Sequence, residues 1–300
     1  MKESDMLKIT VPGSTANLGP GFDSVGLALG TYLTLEIKRA EQLRFVPMTQ
    51  HVMNTPTNKD NLIAKVAIAV AAKQNKQLPA CEVKVWSDIP MARGIGSSAA
   101  AIIAGIELAN QLCDLQLTDD EKLRFASLEE GHPDNVGASL FGGLVVGLHQ
   151  KDQTGIVCVK NVEVDVVVVV PKYEVFTSDA RNVLPESLDY KTSVEASAIS
   201  NMLVAALLTN NWELAGQMMS QDLLHQPYRS KLIPEINAVQ EKIKDLGAYG
   251  SALSGAGPTV ITFIEKGKGD YLAERLASEF LDCDVERLDV DFEGCKVEQF

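Results

Sequence analysis

The chain has 300 residues, which suits two domains of about 150 residues each. Its 27 basic and 40 acidic residues give a formal net charge of -13, which argues against binding to nucleic acid or to an anionic membrane, because both need a basic patch. The five cysteines include no C-x-x-C pair, which argues against a zinc ribbon or a redox dithiol and predicts reduced thiols in the cytoplasm.

The first half of the chain predicts a series of strands and helices after a polar start, residues 1–6, that lacks the apolar core of a secretory signal. The predicted elements are a strand over 7–11, a glycine-rich loop over 12–30, a strand over 32–38, a helix over 61–76, a strand over 82–86, helices over 98–113 and 118–130, and strands over 142–149 and 165–170. The helix over 98–113 is apolar nearly all round, so we expect it to be buried. Thr118 and Glu121 form a capping-box pattern at the start of the next helix.

The second half predicts mainly helices, followed by shorter strands. The predicted elements are helices over 193–208, 212–224 and 234–246, a strand–turn–strand over 250–264 and a strand–helix–strand over 271–290. This mixture, without strict βαβα alternation, favours an α+β fold over a doubly wound sheet. A polar stretch before the valine run at 166–170 places the domain boundary near Asn161, which divides the chain into residues 1–160 and 161–300. The valine run itself is far too short to span a bilayer.

The strongest chemical signal is the glycine- and serine-rich segment over residues 90–100, directly before a long helix. Gly94 and Gly96 let the backbone bend until several N–H groups point inward, and the first-turn amides of the helix have no partners within it. Together these groups predict an anion cradle suited to a triphosphate. Ser97 and Ser98 add hydroxyls, of which one suits a helix cap and the other a contact to Mg²⁺. A plain glycine turn with a serine N-cap is the simpler alternative.

A dinucleotide-binding fold is another interpretation of the same segment, since residues 94–99 match G-x-G-x-x-A and Asp114 follows about twenty residues later. Against it, residues 90–93 separate the glycines from the preceding strand, and Asp114 ends a helix instead of a strand. A P-loop is excluded because no G-K-[ST] follows a glycine loop.

Two more segments rich in small residues lie far apart in the sequence. Residues 12–23 form a glycine- and proline-containing loop that presents Asn17 and Asp23. Residues 250–258 place small side chains between two strands, where a phosphate or another backbone can approach closely. Taken singly, a polar turn is the alternative for residues 12–23, although it explains a rigid loop with two such residues less well, and a tight hairpin is the favoured explanation of residues 250–258.

A fourth segment, residues 129–135, follows the capped helix. Glu130 offers hard carboxylate oxygens of the kind that Mg²⁺ prefers. His132 has no second histidine at metal spacing, which argues against zinc. A surface helix end is the alternative for Glu129.

These four segments together resemble those of the GHMP kinases, a family that includes galactokinase and the homoserine, mevalonate and phosphomevalonate kinases. Residues 90–100 are similar to the phosphate loop of that family, and residues 250–258 to its glycine-rich third motif. Residues 12–23 and 130–135 resemble those of the homoserine kinase group in particular. The resemblance covers essentially the whole chain, with the segments in the expected order.

The resemblance implies a two-domain GHMP kinase fold, with an N-terminal domain like the second domain of ribosomal protein S5, a ferredoxin-like C-terminal domain, and ATP between them. It also implies ATP-dependent phosphorylation of the side-chain hydroxyl of L-homoserine to O-phospho-L-homoserine, a step of threonine biosynthesis. Ser98 and Glu130 are implied to hold Mg²⁺. The residues implied to contact ATP are Pro90, Met91, Ala92, Arg93, Gly94, Ile95, Gly96, Ser97, Ser98, Ala99, Ala100, Asn61, Gly255 and Gly257.

The implied substrate residues suit a zwitterionic amino acid, whose ammonium needs a carboxylate and whose carboxylate needs cations. Asp23 supplies the first, and Arg181 and Arg229 supply the second, although surface salt bridges would be the simpler role for both arginines. The substrate set is Asn17, Asp23, His132, Asn135, Arg181 and Arg229, and the catalytic set is Asn135, Thr177 and Arg181, with Thr177 near the transferred phosphate.

Asn135 occupies the position at which several related kinases have an aspartate base. Asparagine cannot accept a proton, but phosphoryl transfer through a loose transition state can rely on positioning and charge neutralisation. We therefore expect no dedicated base, with Asp23 or Asp134 as the alternatives.

Three other functions are compatible with parts of the sequence. They are a GHMP kinase for another small alcohol such as mevalonate or a sugar, a dinucleotide-dependent oxidoreductase, and a ligand sensor without catalysis. The first would carry a charged N-terminal signature that is absent here, and Ser98 with Glu130 argues against the sensor. L-homoserine is the expected small-molecule partner, with neither nucleic acid nor membrane, and a homodimer is compatible with the sequence.

Overall fold

Two β-sheets organise residues 6–299, the part of the chain that the computed structural model describes. The polar start expected from the sequence lies, except for Met6, outside these described residues. The strands are β1 (Leu7–Ala16), β2 (Val25–Arg39), β3 (Arg44–Pro47), β4 (Cys81–Ser87), β5 (Leu144–His149), β6 (Thr154–Val159), β7 (Asp165–Pro171), β8 (Gly250–Leu253), β9 (Val260–Ile264), β10 (Cys283–Leu288) and β11 (Lys296–Gln299). The helices are α1 (Leu62–Lys73), α2 (Ser97–Leu112), α3 (Asp119–Glu130), α4 (Asp134–Phe141), α5 (Thr177–Asn182), α6 (Tyr190–Leu208), α7 (Trp212–Met219), α8 (Gln226–Arg229), α9 (Glu235–Lys242) and α10 (Gly269–Ala277).

The first sheet has the strand order β11-β1-β2-β4-β3, and β5 pairs with the start of β2 and carries β6 on its other side. Its centre is the antiparallel β1–β2 hairpin, in which Leu7, Ile9 and Val11 are fully buried. This spacing follows from the two-residue period of a strand, which puts alternate side chains on the face covered by α2. The last strand, β11, returns to this sheet and pairs with β1.

Helix α2 is buried, as its all-round apolar sequence predicts, because it packs against β1, α1, α3 and α4 together. Gly105 allows the close crossing with α1, since a Cβ at this position would lie only 2.7 Å from the carbonyl oxygen of Ile63. The predicted capping box at the start of α3 is confirmed. The Glu121 N–H donates to Thr118 Oγ1 at 3.2 Å, and the Thr118 N–H donates to Glu121 Oε2 at 2.8 Å.

The second sheet is antiparallel, with the strand order β10-β7-β9-β8. Numbered within the sheet, this is the 4-1-3-2 order of a ferredoxin-like domain, as the resemblance implies. Strand β7 is buried on both faces. Val167 and Val169 face a cluster that includes residues of α9 and α10, whereas Val166 and Val168 belong to the large core that extends into the first sheet. The two halves of the α+β fold therefore share one continuous core.

The glycine-rich loop predicted over residues 12–30 is wrong in its extent, because β1 and β2 leave only residues 17–24 between them. The pairing register of the two strands shifts between Pro12 and Gly13. An irregularity of this kind absorbs the missing N–H of a proline without ending the strand. The shorter loop retains the positive φ angles of a sharp turn, +76° at Asn17 and +55° at Asp23.

Several other elements differ from the sequence-based expectation. Strands β3, β6 and β11 and helices α4, α5 and α8 were not predicted. The helix predicted over 212–224 ends at Met219, and the one predicted over 234–246 divides into α9 and a 3₁₀ turn at Ile243–Asp245. The segment 271–290 contains the end of α10 and β10 without a preceding strand. The domain boundary near Asn161 stays a prediction. Among the described residues, no helix combines the length and apolarity needed to cross a membrane.

Candidate active site

A cavity of about 460 Å³ opens where the β1–β2 loop, the segment before α2 and the segment before α5 meet. It brings together most of the residues singled out from the sequence. They are Asn17, Asp23, Asn61, Met91, Ala92, Gly94, Gly96, Ser97, Ser98, Glu130, His132, Asn135, Thr177, Arg181, Arg229, Gly255 and Gly257.

Five residues of the predicted ATP set are not among those that line the cavity. Ile95, Ala99 and Ala100 are buried in the core behind the loop. Arg93 holds the loop in place from outside, because its Nη2 donates to the carbonyl oxygen of Lys172 at 2.8 Å. Pro90 is half-buried at the start of the loop.

The segment before α2 has the geometry that the sequence predicts for an anion cradle. Gly94 and Gly96 have φ of +80° and +69°, values at which a side chain would be strained. The first bond of the helix runs from the Ala100 N–H to the carbonyl oxygen of Gly96 at 2.9 Å. The N-cap is Gly96, without a side-chain cap hydrogen bond, so the prediction that one of the serines caps the helix is wrong. The amides of Ser97 and Ser98 lie ahead of this bond, in the first helical turn, where N–H groups have no partners within the helix.

Ser254 joins three of the sequence motifs at one point. Its Oγ donates to the carbonyl oxygen of Gly94 at 2.5 Å and lies 2.8 Å from Thr15 Oγ1. A Cβ on Gly94 would lie 2.3 Å from the carbonyl oxygen of Ser254 and 2.9 Å from that of Gly257. The glycine is therefore needed for both its φ angle and its close contact with the third motif.

Replacing Gly94 by alanine should lower the free energy of unfolding by more than about 2 kcal/mol, because the left-handed φ and the close carbonyl contacts both oppose a Cβ. It should also raise the KM for ATP. Gly247→Ala is a matched control, since Gly247 has a similar φ of +72° but a Cβ there would meet nothing within 4 Å. Urea unfolding and ATP kinetics compare the two variants. Equal losses of stability in both would show that the contact with the third motif is unimportant.

The predicted magnesium ligands lie side by side at the mouth of the cradle. Ser98 Oγ donates to Glu130 Oε2 at 3.2 Å, although the two residues are 32 positions apart. Burial raises the pKa of Glu130, and the charges of Asp134 and Glu129 act in the same direction against the opposing effects of His132 and Ser98. A hydroxyl and a carboxylate are both hard oxygen ligands, so this donor set fits Mg²⁺.

Asn135 is held by a chain of buried hydroxyl groups. Ser139 Oγ donates to Ser14 Oγ at 3.2 Å, and Ser14 Oγ donates to Asn135 Oδ1 at 3.2 Å. With its oxygen engaged by Ser14, the amide has its NH₂ group left to offer to a ligand in the cavity. Asn135 is therefore arranged as a donor.

A second group of residues that line the cavity carries charged side chains from distant parts of the chain. Arg181 and Asp23 form a bidentate pair, with Nη1 3.1 Å from Oδ2 and Nη2 2.8 Å from Oδ1. Asn17 fixes the loop that carries Asp23, because its Oδ1 accepts the Asp23 N–H at 3.0 Å and its Nδ2 donates to the carbonyl oxygen of Gly255 at 2.9 Å. A carboxylate and a guanidinium thus face the same space.

His132 is coupled to a buried carboxylate. Its Nδ1 lies 2.5 Å from Asp134 Oδ1, which also accepts the Asn135 N–H at 2.7 Å. Desolvation alone would lower the pKa of His132, but the hydrogen bond and charge of Asp134 outweigh it, so the pKa is raised. One side-chain atom of each of Asp23, His132 and Asp134 lies within 4.8 Å of the other two, so that two carboxylates and an imidazole meet beside Arg181.

Arg229 is only 2% exposed, yet each of its recorded hydrogen-bond partners is neutral. Its Nε donates to the carbonyl oxygen of Ala180 at 3.0 Å, and its Nη1 donates to that of Gly255 at 3.0 Å. Desolvation, with the nearby charge of Arg181, lowers its pKa to about 10, so it remains charged at neutral pH. A buried cation without an anionic partner is unfavourable unless a ligand supplies one.

Sequence reasoning missed two parts of the cavity. One is the apolar end, which is formed by Val52, Pro56, Leu62, Val85 and Ile89. Ordinary core and turn residues of this kind carry no chemical signal. Asn61 lies at this end, where its Oδ1 caps α1 by accepting the Ile63 N–H at 3.0 Å.

The other missed part is Phe22, which lines the cavity, together with Asp222 and His225, which are buried behind Arg229 and do not line it. The guanidinium carbons of Arg229 and Arg181 lie 5.2 and 5.6 Å from the centre of the Phe22 ring. The four-residue spacing of His225 and Arg229, one helical turn, could have indicated their contact.

Comparison with known proteins gives a consistent result over the whole chain. The family described as GHMP kinases N terminal domain matches residues 61–143, and the family described as GHMP kinases C terminal matches residues 203–282. A homoserine kinase from Bacillus licheniformis is 60% identical over 300 residues, which is 100% of this chain and 98% of that protein. The crystal structure of homoserine kinase from Cytophaga hutchinsonii has a TM-score of 0.86 at 28% identity, over 99% of this chain and 98% of the other. A mevalonate kinase structure shares the fold, with a TM-score of 0.71 at 17% identity over 95% of this chain and 99% of the other.

Proposed function

The chain belongs to the GHMP kinase family, among the homoserine kinases, and from this membership we propose that it transfers the γ-phosphate of ATP to the side-chain hydroxyl of L-homoserine. The products are ADP and O-phospho-L-homoserine, and the step belongs to threonine biosynthesis. We place the reaction in the cytoplasm, and a homodimer stays a prediction. One observation carries the proposal: a carboxylate and two guanidinium groups line the same cavity as a glycine-rich anion cradle.

The nucleotide would lie with its base at the apolar end, near Val52 and Pro56, and with its phosphates at the cradle before α2. The first-turn amides of α2 and its positive dipole end favour a polyanion there. Ser98 and Glu130 would hold Mg²⁺, which supplies positive charge to neutralise the phosphate oxygens when it is bound. Both are hard oxygen ligands beside the cradle.

L-homoserine would lie on the charged side of the cavity. Its ammonium would bind Asp23, and its carboxylate would bind Arg229 and Arg181 by charge-assisted hydrogen bonds. Because Asp23 and Arg181 pair with one another, the substrate would insert between them and satisfy both charges. Asn17 and His132 lie beside Asp23 and would complete the ammonium and hydroxyl surroundings.

The proposed transfer needs no dedicated base. Asn135 offers a donor, Asp134 Oδ1 accepts from His132 and from the Asn135 N–H, and Asp23 pairs with Arg181. In a loose transition state the attacking hydroxyl keeps its proton until the new P–O bond has largely formed, and the proton would then pass to an oxygen of the transferred phosphoryl group and on to solvent, so positioning and charge neutralisation suffice. Thr177, at the start of α5, and Arg181 would contact the phosphoryl group from the opposite side to the cradle.

Two truncated substrates test whether both charges of homoserine are recognised. Relative to L-homoserine, 3-aminopropan-1-ol lacks the carboxylate and 4-hydroxybutanoate lacks the ammonium. Each should lose about a hundredfold or more in kcat/KM, because 3-aminopropan-1-ol leaves the buried Arg229 without an anion and 4-hydroxybutanoate leaves Asp23 without an ammonium. The measurement is coupled ADP release with saturating Mg-ATP. If either analogue were turned over as efficiently as homoserine, the proposed substrate site would be wrong.

A further inference from the structure

His225 lies directly behind Arg229, one helical turn earlier, and is completely buried. Its Nδ1 lies 3.2 Å from Arg229 Nη1, and its Nε2 lies 2.9 Å from the carbonyl oxygen of Gly19. The imidazole also stacks on Phe22, with a ring-centre distance of 5.0 Å. It therefore contacts both the guanidinium and the β1–β2 loop.

These contacts define the protonation of the imidazole. A guanidinium can only donate, so Nδ1 must accept from Arg229, and Nε2 must carry the proton that is donated to Gly19. A ring with one proton is neutral. Burial lowers the pKa of His225 to about 4, and the positive charge of Arg229 acts in the same direction against the opposing charge of Asp222.

The nearby carboxylate of Asp222 is already used by the backbone. Its Oδ1 accepts the Leu224 N–H at 2.8 Å, and its Oδ2 accepts the N–H groups of His225 at 3.2 Å and Gln226 at 2.8 Å. Oδ2 lies 3.3 Å from His225 Nε2, which is the ring nitrogen that does not meet Arg229. The imidazole is thus the group between this carboxylate and the guanidinium.

We propose that His225 is a positioning residue for Arg229. Its neutral imidazole accepts a hydrogen bond from the guanidinium and so fixes it without cancelling the positive charge of Arg229, which is left for the carboxylate of the substrate. A carboxylate in the same place would orient Arg229 equally well but would neutralise it, and it would then compete with the substrate. This inference rests on the proposed function, because it assumes that Arg229 binds an anionic group. The inference also predicts the substrate class of this site, which is alcohols that carry a carboxylate.

Two variants of similar shape separate charge from structure. His225→Asn places a neutral oxygen near the position of Nδ1, and His225→Asp places a charged oxygen there. Both lose the Nε2 bond to Gly19 and the stacking on Phe22, so these losses cancel in the comparison. The KM for L-homoserine should be at least about tenfold higher in the aspartate variant than in the asparagine variant, while the KM for ATP should be equal in both.

The KM for 3-aminopropan-1-ol, which has no carboxylate, distinguishes an effect on charge from a purely structural role of His225. With 3-aminopropan-1-ol the two variants should have the same KM within about twofold, because no anion then competes for Arg229. Equal KM values for L-homoserine in the two variants, or the same difference with both substrates, would overturn the role of His225.

A third variant covers the case in which His225→Asp does not fold. His225→Phe keeps an aromatic ring for stacking but has no acceptor, so its KM for L-homoserine should exceed that of His225→Asn by about tenfold. If the KM for L-homoserine of the phenylalanine variant were equal to or lower than that of the asparagine variant, His225 would act by packing alone. If the enzyme without any substitution did not phosphorylate L-homoserine, that result would instead contradict the proposed function itself.

Discussion

Replacing Glu130 by glutamine should lower kcat roughly a hundredfold, which corresponds to about 2.7 kcal/mol of lost transition-state stabilisation. Glutamine keeps the shape and can still accept the hydrogen bond from Ser98, whose Oγ lies 3.2 Å from Glu130 Oε2. What it removes is the negative charge that would hold Mg²⁺ against the triphosphate. The loss should therefore appear in kcat and in the Mg²⁺ concentration needed for half-maximal activity.

Glu129→Gln is the matched control, because Glu129 is exposed on the same helix and does not line the cavity. This variant should have unchanged kinetics and stability. Magnesium titrations of ADP release compare the two substitutions at saturating substrate. Full activity of Glu130→Gln at ordinary Mg²⁺ concentrations would mean that another group holds the metal.

Replacing Arg229 by methionine should raise the KM for L-homoserine roughly ten- to a hundredfold, since a lost charge-assisted pair costs about 1.5–3 kcal/mol. Methionine fills the space of the aliphatic stem but removes every donor. The KM for ATP should change much less, because the guanidinium of Arg229 lies with that of Arg181 beside the Phe22 ring, among the groups proposed to bind homoserine. Some loss of kcat is also expected, since a substrate held at one end presents its hydroxyl poorly.

The analogue without a carboxylate, 3-aminopropan-1-ol, separates an effect of Arg229→Met on substrate binding from an effect on folding. In Arg229→Met the carbonyl oxygen of Ala180 loses the Arg229 donor and that of Gly255 keeps only the donor from Asn17, so the variant should also unfold more easily. With 3-aminopropan-1-ol, however, the substitution should cost much less than with L-homoserine. A full penalty for the analogue as well would mean that Arg229 supports the fold or the nucleotide.

The parts of the site that the sequence predicts are those encoded by short continuous patterns. The glycines before α2, the apolar run of α2 itself and the capping box at Thr118 each specify their own local conformation, and the structure agrees. The link from Ser98 to Glu130, which joins two separate elements, came from the family resemblance and not from any local pattern. Such a contact depends on tertiary packing.

The errors in the sequence-based predictions also arise from tertiary packing. Gly13 and Gly26 indicate a loop when the sequence is considered alone, but both lie within strands. A Cβ on Gly13 would lie 3.0 Å from the carbonyl oxygen of Ile95, and one on Gly26 would lie 2.3 Å from that of Asp134. These glycines are required by neighbours that are distant in sequence, so no local rule could distinguish them from turn residues. His225 was missed for a related reason, because a neutral histidine becomes informative only when its partners are known.

The most direct test of the proposed function is ADP release from Mg-ATP with four alcohols measured in parallel: L-homoserine, L-threonine, mevalonate and galactose. Recognition of a carboxylate and an ammonium at a fixed distance from the hydroxyl predicts a kcat/KM for L-homoserine at least about a hundredfold above each of the others. L-threonine carries both charges but places its hydroxyl one carbon closer to them. Mevalonate lacks the ammonium, and galactose lacks both charges. Equal or greater kcat/KM with mevalonate or galactose would contradict the account, and the enzyme would then be a GHMP kinase for another alcohol.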